Sequence, residues 1–252
     1  MLRRYNEITD VIQHYWNARA VTFDSDLGHV VHSNEQRQAW LQFLAGLAGP
    51  APQRVLDVGC GTGFLALMFA EIGHTVTGID LASQMLDLAR QKARQANLNI
   101  EFRLEDAASV GDADNSYDLV VARHVIWTLP DPERAVADWF RVLRRGGRLA
   151  LIEGKWGSDK PKARHRRSIR ATLTAAVHAG LSLVSVGRKH WNALKYERVY
   201  AQLPFSGGPP ADRLVAFLEA QGLHDVKLEP LMSPALWGET PRWPRYLVVG
   251  EH

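Results

Sequence analysis

The run Val55-Leu56-Asp57-Val58-Gly59-Cys60-Gly61-Thr62-Gly63 constrains this chain more than any other stretch. An apolar segment ends in glycines at alternate positions, and Leu65, Met68, Phe69 and Ile72 then follow at helical spacing. This order predicts a buried strand, a tight turn and a helix N-terminus, the parts that bring bare backbone against a nucleotide-like ligand. Asp80 ends the next strand-like run, which begins at His74. A carboxylate there can accept hydrogen bonds from both hydroxyls of a ribose.

Three ligand classes compete for such a loop. A nucleoside triphosphate fits poorly, because the Gly-Lys-Ser/Thr ending that holds phosphate and magnesium is missing. A dinucleotide stays open, since Gly61-Thr62-Gly63-Phe64-Leu65-Ala66 fits G-x-G-x-x-A. The third class is S-adenosylmethionine, which carries an amino acid where a dinucleotide carries pyrophosphate. On the run Val55 to Gly63 the sequence resembles the class I S-adenosylmethionine-dependent methyltransferases. Two further matches are Glu105-Asp106-Ala107 at the end of a third strand and Tyr117-Asp118-Leu119-Val120-Val121-Ala122 as a fourth. Within that class the chain is similar to the ubiquinone/menaquinone-type small-molecule enzymes. The resemblance covers about residues 53–155; the flanks agree in layout alone.

The rest of the chain is read around that core. Ile8, Val11, Ile12, Tyr15 and Trp16 predict a helix over Glu7 to Ala18, and Trp40, Phe43, Leu44 and Leu47 another over Glu35 to Leu47. Gly49-Pro50-Ala51-Pro52 breaks the second. Strand and helix signals then alternate, which argues for a parallel sheet of right-handed crossover units. A helix is expected from Ser83 to Ala96. The third strand alternates Ile100, Phe102 and Leu104 with charged residues, the pattern of an edge strand. Asp131-Pro132-Glu133 starts a helix whose stripe is Val136, Trp139, Phe140 and Leu143, stopped by Gly146-Gly147. A fifth strand is expected at Leu149 to Glu153, a helix at Ala211 to Gln221, and strands near Val226–Leu231 and Tyr246–Gly250. The resemblance implies a Rossmann-like, doubly wound, seven-stranded, mostly parallel sheet with an antiparallel last strand. The expected division is an N-terminal helical lid (1–50), a donor-binding core (51–154), a helical insertion capping the acceptor (155–210) and a closing helix and hairpin (211–252).

Composition sets looser limits. With 46% hydrophobic and 23% charged residues the chain is an ordinary globular sequence, and its net charge of +3 permits an acidic substrate without requiring nucleic acid. The single Cys60 excludes an intrachain disulfide and a four-cysteine metal site. No apolar run reaches bilayer length and no secretory signal is visible, so a cytoplasmic protein is expected. Lys155, Lys160, Lys162, Arg164, Arg166, Arg167 and Arg170 form a basic cluster. It reads as a solvated helix face or as an attractor for an anionic substrate or RNA.

Candidate residues follow. Gly59, Gly61 and Gly63 would approach the cofactor, and Asp80 would hold the ribose. Leu81 and Met85 could sandwich adenine or pack as core. The resemblance implies that Asp57 orients the loop and the methionine amino group, that Asp106 addresses the adenine amino group, and that Ala107 offers the ring a backbone amide. Arg123 either guards the cofactor pocket or pairs at the surface. His124, just past the fourth strand, is placed to take a proton from an attacking group, or to pack. Tyr15, His32, Trp127, Trp156, Trp191 and Tyr196 are expected to line the acceptor pocket. His29 and His32 beside Asp24 and Asp26 lack a third ligand at metal spacing, and no metal is expected. The expected activity is methyl transfer from S-adenosylmethionine to an oxygen, nitrogen or sulfur atom of a small molecule. RNA or protein methylation through the basic insertion and a nicotinamide oxidoreductase remain as alternatives.

Overall fold

The computed structural model describes residues 2–26, 28–50, 52–155 and 194–252. At its centre lies β1 (Arg54–Val58), with Val55, Leu56 and Val58 fully buried. Apolar residues on both faces suit a parallel strand covered by helices on either side. β1 pairs in parallel with β2 (Thr75–Asp80) and with β4 (Tyr117–Arg123). Beyond β2 lies β3 (Glu101–Leu104), and beyond β4 lies β5 (Leu143–Gly154), both again parallel. β7 (Arg245–Glu251) runs antiparallel to β5, and β6 (His224–Pro230) closes the far edge against β7. The strand order is β3-β2-β1-β4-β5-β7-β6, the Rossmann-like doubly wound sheet that the resemblance implies. β3 is an edge strand, as its alternation predicts, with Phe102 buried; Leu104, on the same face at the strand's end, is exposed instead.

Helices cover both faces. On one, α5 (Pro132–Val142) and α6 (Ala211–Ala220) bring Val136, Trp139, Leu214 and Leu218 onto Leu56, Val58 and Val120. On the other, α2 (Asn34–Ala48), α3 (Phe64–Glu71) and α4 (Ser83–Gln95) pack Trp40, Leu44, Phe69 and Leu86 against Val55, Val76 and Val121. A short helix not expected from the sequence, α7 (Pro234–Trp237), is locked to α2. Its Leu236 carbonyl accepts from Trp40 Nε1 at 2.6 Å and Gln36 Nε2 at 2.9 Å. Between β1 and β4 the strand order reverses, and a crevice opens at the carboxyl ends, where ligands of such sheets bind.

The largest departures from the expected boundaries are at the first helix and at the junction of α5 with β5. α1 spans Leu2–Phe23, longer than Glu7 to Ala18, because no helix breaker intervenes before Asp24-Ser25. α5 ends at Val142, and Leu143 already belongs to β5, buried against the sheet. Gly146, at a φ of 68°, then turns the chain within β5. The basic cluster from Lys160 to Arg170, most of the expected helical insertion, Trp156 and Trp191 lie outside the described residues. Among the described residues no helix is long and apolar enough to cross a membrane.

Candidate active site

The floor of the crevice is built from the backbone. After β1, Gly59, Gly61 and Gly63 take φ values of 63°, 55° and 88°, which side chains disfavour. At Gly59 space forbids a side chain as well, since a Cβ would lie 2.5 Å from Val125 Cγ2. The Cys60 amide continues toward β2 by donating to the Ile79 carbonyl at 2.9 Å. Asp80 ends β2 beside the loop, with Oδ2 accepting from the Gly61 amide at 2.8 Å and Oδ1 from the Ala82 amide at 2.7 Å. Each oxygen keeps a further acceptor site. Burial raises the Asp80 pKa, and the Ala82 and Gly61 amides oppose that rise.

Asp57 is buried beneath the turn, and its Oδ2 accepts from the Ala66 amide at 3.0 Å. Burial pushes its pKa up to about 7, while the Ala66 amide and Arg123 pull it down. The Arg123 guanidinium, at the end of β4, lies 3.8 Å over the Phe64 ring and donates to the Gly28 carbonyl at 2.7 Å. Burial lowers its pKa to about 10, so it remains a cation at neutral pH.

A cavity of about 560 Å³ lies over this floor, a volume suited to a small ligand. Its roof is α1 and the segment after it, tied down at four points. Tyr5 Oη donates to Asp106 Oδ2 at 2.8 Å, and Gln13 Nε2 to the Leu81 carbonyl at 2.9 Å. Asn17 Oδ1 accepts from the Gln84 amide at 2.9 Å, capping α4, whose own N-cap Ala82 has no side chain to do so. Asp24 accepts from Thr62 Oγ1 at 2.7 Å and pairs with Lys92 Nζ at 2.6 Å. Aromatic rings fill the remaining wall. Tyr15 stacks on Tyr196 at 3.6 Å, and Trp127 meets Trp16 and Tyr200 edge-on.

Most of the expected residues converge here. Asp57, Gly59, Gly61, Asp80, Leu81, Met85, Asp106, Ala107 and Arg123 all border the cavity, as do His124, Tyr15, Trp127 and Tyr196. Gly63 does not; it faces α4, where a Cβ would meet Ala89 Cβ at 3.2 Å. His32 also lies off the cavity, its backbone amide donating to Gln36 Oε1 at 2.7 Å. Trp156 and Trp191 fall outside the described residues.

His124 sits at a φ of 60°, and its backbone amide donates to the Ile152 carbonyl at 3.0 Å. Its Nε2 is shut off from solvent, and its ring stacks near Trp237 at 6.0 Å. Burial, then Arg123, Arg245 and His29, hold its pKa well below the ordinary imidazole value. Glu153, near the end of β5, is not among the residues expected at the site. Its Oε1 accepts from the Val125 and Ile126 amides at 2.8 and 3.0 Å, fixing the turn that follows His124. Burial raises its pKa to about 8 against those amides. A carboxylate ending an apolar parallel strand was the available signal, the same one that marked Asp80.

Known proteins resemble this chain in sequence over its core and in fold. Residues 56–151 match a family described as a methyltransferase domain. A demethylmenaquinone methyltransferase of Thermus thermophilus is 40% identical over 105 residues, 41% of this chain and 48% of that protein. An S-adenosyl-L-methionine-dependent Diels-Alderase of Talaromyces variabilis is 34% identical over 120 residues, 44% of this chain and 40% of that protein. The chain thus spans about half the length of the curated relatives it matches. Among solved structures, phosphoethanolamine N-methyltransferase 2 of Haemonchus contortus, in complex with S-adenosyl-L-methionine, superposes with a TM-score of 0.60 at 16% identity. That match covers 93% of this chain and 57% of the other, and it is a likeness of fold.

Proposed function

We propose that this chain, which carries a class I S-adenosylmethionine-dependent methyltransferase domain over residues 56–151, transfers the methyl group of S-adenosylmethionine to an oxygen, nitrogen or sulfur atom of a small molecule. The observation that carries the reading is Asp80, held by the Gly61 and Ala82 amides at the rim of a roofed cavity. In this reading Asp80 takes the ribose hydroxyls, Leu81 and Met85 flank the adenine, and Asp106 with the Ala107 amide addresses its edge. Asp57 and the glycine-loop backbone at Gly59 take the amino-acid end. A buried carboxylate there suits a cationic ammonium and sulfonium better than a pyrophosphate, which argues against a dinucleotide.

The donor brings its own activated methyl group, so the protein must align the acceptor and exclude water. The roof and the aromatic wall of Tyr15, Trp127 and Tyr196 do both, and their enclosure favours a small acceptor over RNA or protein. His32, Trp156 and Trp191 remain proposed for the outer acceptor pocket, and Gly63 for the close packing that supports the loop. A proton acceptor is needed only where the acceptor atom is protonated at working pH. His124 is the candidate by position, and His29 is a second imidazole bordering the same cavity.

Calorimetry tests the donor site. S-adenosylhomocysteine should bind, and Asp80→Ala should weaken binding by about 1.5–3 kcal/mol, the scale of charge-assisted hydrogen bonds. Unchanged affinity in a folded variant would falsify the assignment. One relative is a Diels-Alderase by name, so turnover must be measured as S-adenosylhomocysteine formed from a panel of phenols, thiols, amines and carboxylates. Binding without product formation on a full panel would sink methyl transfer and keep the site.

A further inference from the structure

We infer that His29, rather than His124, is the group that removes the acceptor's proton during methyl transfer; the inference rests on the proposed function above. Both imidazoles border the cavity, but they present themselves differently. His124 has its Nε2 closed off from solvent, in a ring stacked near Trp237. His29 lies in the segment after α1, its ring stacked on Phe23 at 3.9 Å, and Phe23 in turn lies beside Gly61. His29 therefore stands over the amino-acid end of the donor site, where the reactive methyl would lie.

The tautomer of His29 is set by its surroundings. Nδ1 lies 2.8 Å from the Phe23 carbonyl, which has no proton to give, so Nδ1 carries the hydrogen. Nε2 is then left with a lone pair, the arrangement of a general base. The groups facing the ring are Arg123, Asp26, Arg19 and His124. Asp26 Oδ2 lies 3.9 Å from Nδ1, on the far side from the nitrogen that would accept the proton, and can steady the imidazolium once formed. Burial, then Arg123 and Arg19, lower the His29 pKa against the Phe23 carbonyl and Asp26, which keeps the ring neutral and ready at neutral pH.

The step balances without a further reagent. The acceptor atom forms its bond to the methyl carbon as the carbon–sulfur bond breaks, and that electron pair stays on sulfur. The proton that the acceptor atom sheds passes to His29 Nε2 and then to solvent. His29 side-chain exposure of 21% gives it that outlet.

Diethyl pyrocarbonate, which acylates accessible unprotonated imidazole nitrogens, reads the difference on the intact protein by peptide mass spectrometry. His29 should react at least about tenfold faster than His124, and saturating S-adenosylhomocysteine should protect it. Faster modification of His124, or an unprotected His29 while calorimetry shows ligand bound, overturns the assignment. No binding at all sinks the donor-site reading instead, and the reactivity order still judges His29. With an acceptor that turns over, His29→Gln should lower kcat by about 10²–10⁴ and leave donor affinity near wild type. It should also remove the acid limb of the kcat profile. A larger kcat loss in His124→Gln than in His29→Gln would overturn the inference.

Discussion

The floor and the roof of the cavity are held by opposite means. The floor is backbone: glycine turns, amides on Asp57 and Asp80, and strands paired in register. The roof reaches across the chain with side chains, from Tyr5 to Asp106, Gln13 to Leu81, Asn17 to Gln84 and Asp24 to Thr62. Among the described residues its apolar anchorage is smaller, with Ile12 and Ala20 buried and Ile8, Val11, Tyr15, Trp16 and Phe23 partly so. Few buried apolar contacts mark the low-stability end of a structure. Ligand must pass the roof and rest on the floor, so substitutions in the two regions should fail differently.

The largest effect should come from the floor. Gly59→Ala adds a methyl group 2.5 Å from Val125 Cγ2 in a residue at a φ of 63°. Overpacking and the left-handed backbone together should cost about 2–4 kcal/mol. Urea denaturation should show that loss, with donor binding lost as well. A loss under about 1 kcal/mol would mean that the floor yields as readily as the roof.

The same contrast decides what could be read from the sequence. The floor was legible because its constraints are local. Alternate glycines after an apolar run, and acids at strand ends, each announce themselves within one short stretch of chain, whatever they go on to contact. The sheet type followed from the resemblance to class I methyltransferases, and the edge position of β3 from its alternation. The roof was legible only as an amphipathic helix. Asn17 capping α4 and Asp24 bridging Thr62 and Lys92 join residues far apart in sequence, and no local pattern announces them. His29 is likewise not announced by a local pattern, although Phe23 is only six residues away. Its value depends on Phe23 and on the cavity, whereas spacing suggested only an incomplete metal pair.

A second, smaller effect concerns protons at the floor. Burial holds Asp57 at a pKa of about 7, and a cationic ligand end favours its ionised form. Affinity for S-adenosylmethionine should therefore rise with pH, by up to about tenfold per unit below pH 7, and level off above it. In stability the sign is reversed. An acid whose folded pKa is raised contributes fully below its unfolded value near 4, and that contribution fades as pH climbs toward 7. Asp57→Asn should flatten both curves, measured by calorimetry and by denaturation from pH 5 to 8. A pH-independent affinity in the parent protein would remove Asp57 from the ligand's surroundings.

The smallest effect on stability should come from the roof, and there the readout is kinetic. Asp24 is half-exposed and holds two partners, Thr62 on the glycine loop and Lys92 on α4. Solvent screens the ion pair, so Asp24→Ala should cost about 1 kcal/mol or less in urea. Yet both partners belong to the elements that a ligand must leave, and loosening them should speed release. Stopped-flow fluorescence from the roof's Trp16 should show S-adenosylhomocysteine dissociating about 3–10-fold faster, with association also quicker and affinity changed less than either rate. Asp24→Asn keeps an acceptor for Thr62 and loses the charge, so its rates should fall between the two. If Asp24→Ala lowers affinity tenfold with association unchanged, Asp24 belongs to the ligand's binding surface and the roof is not a gate.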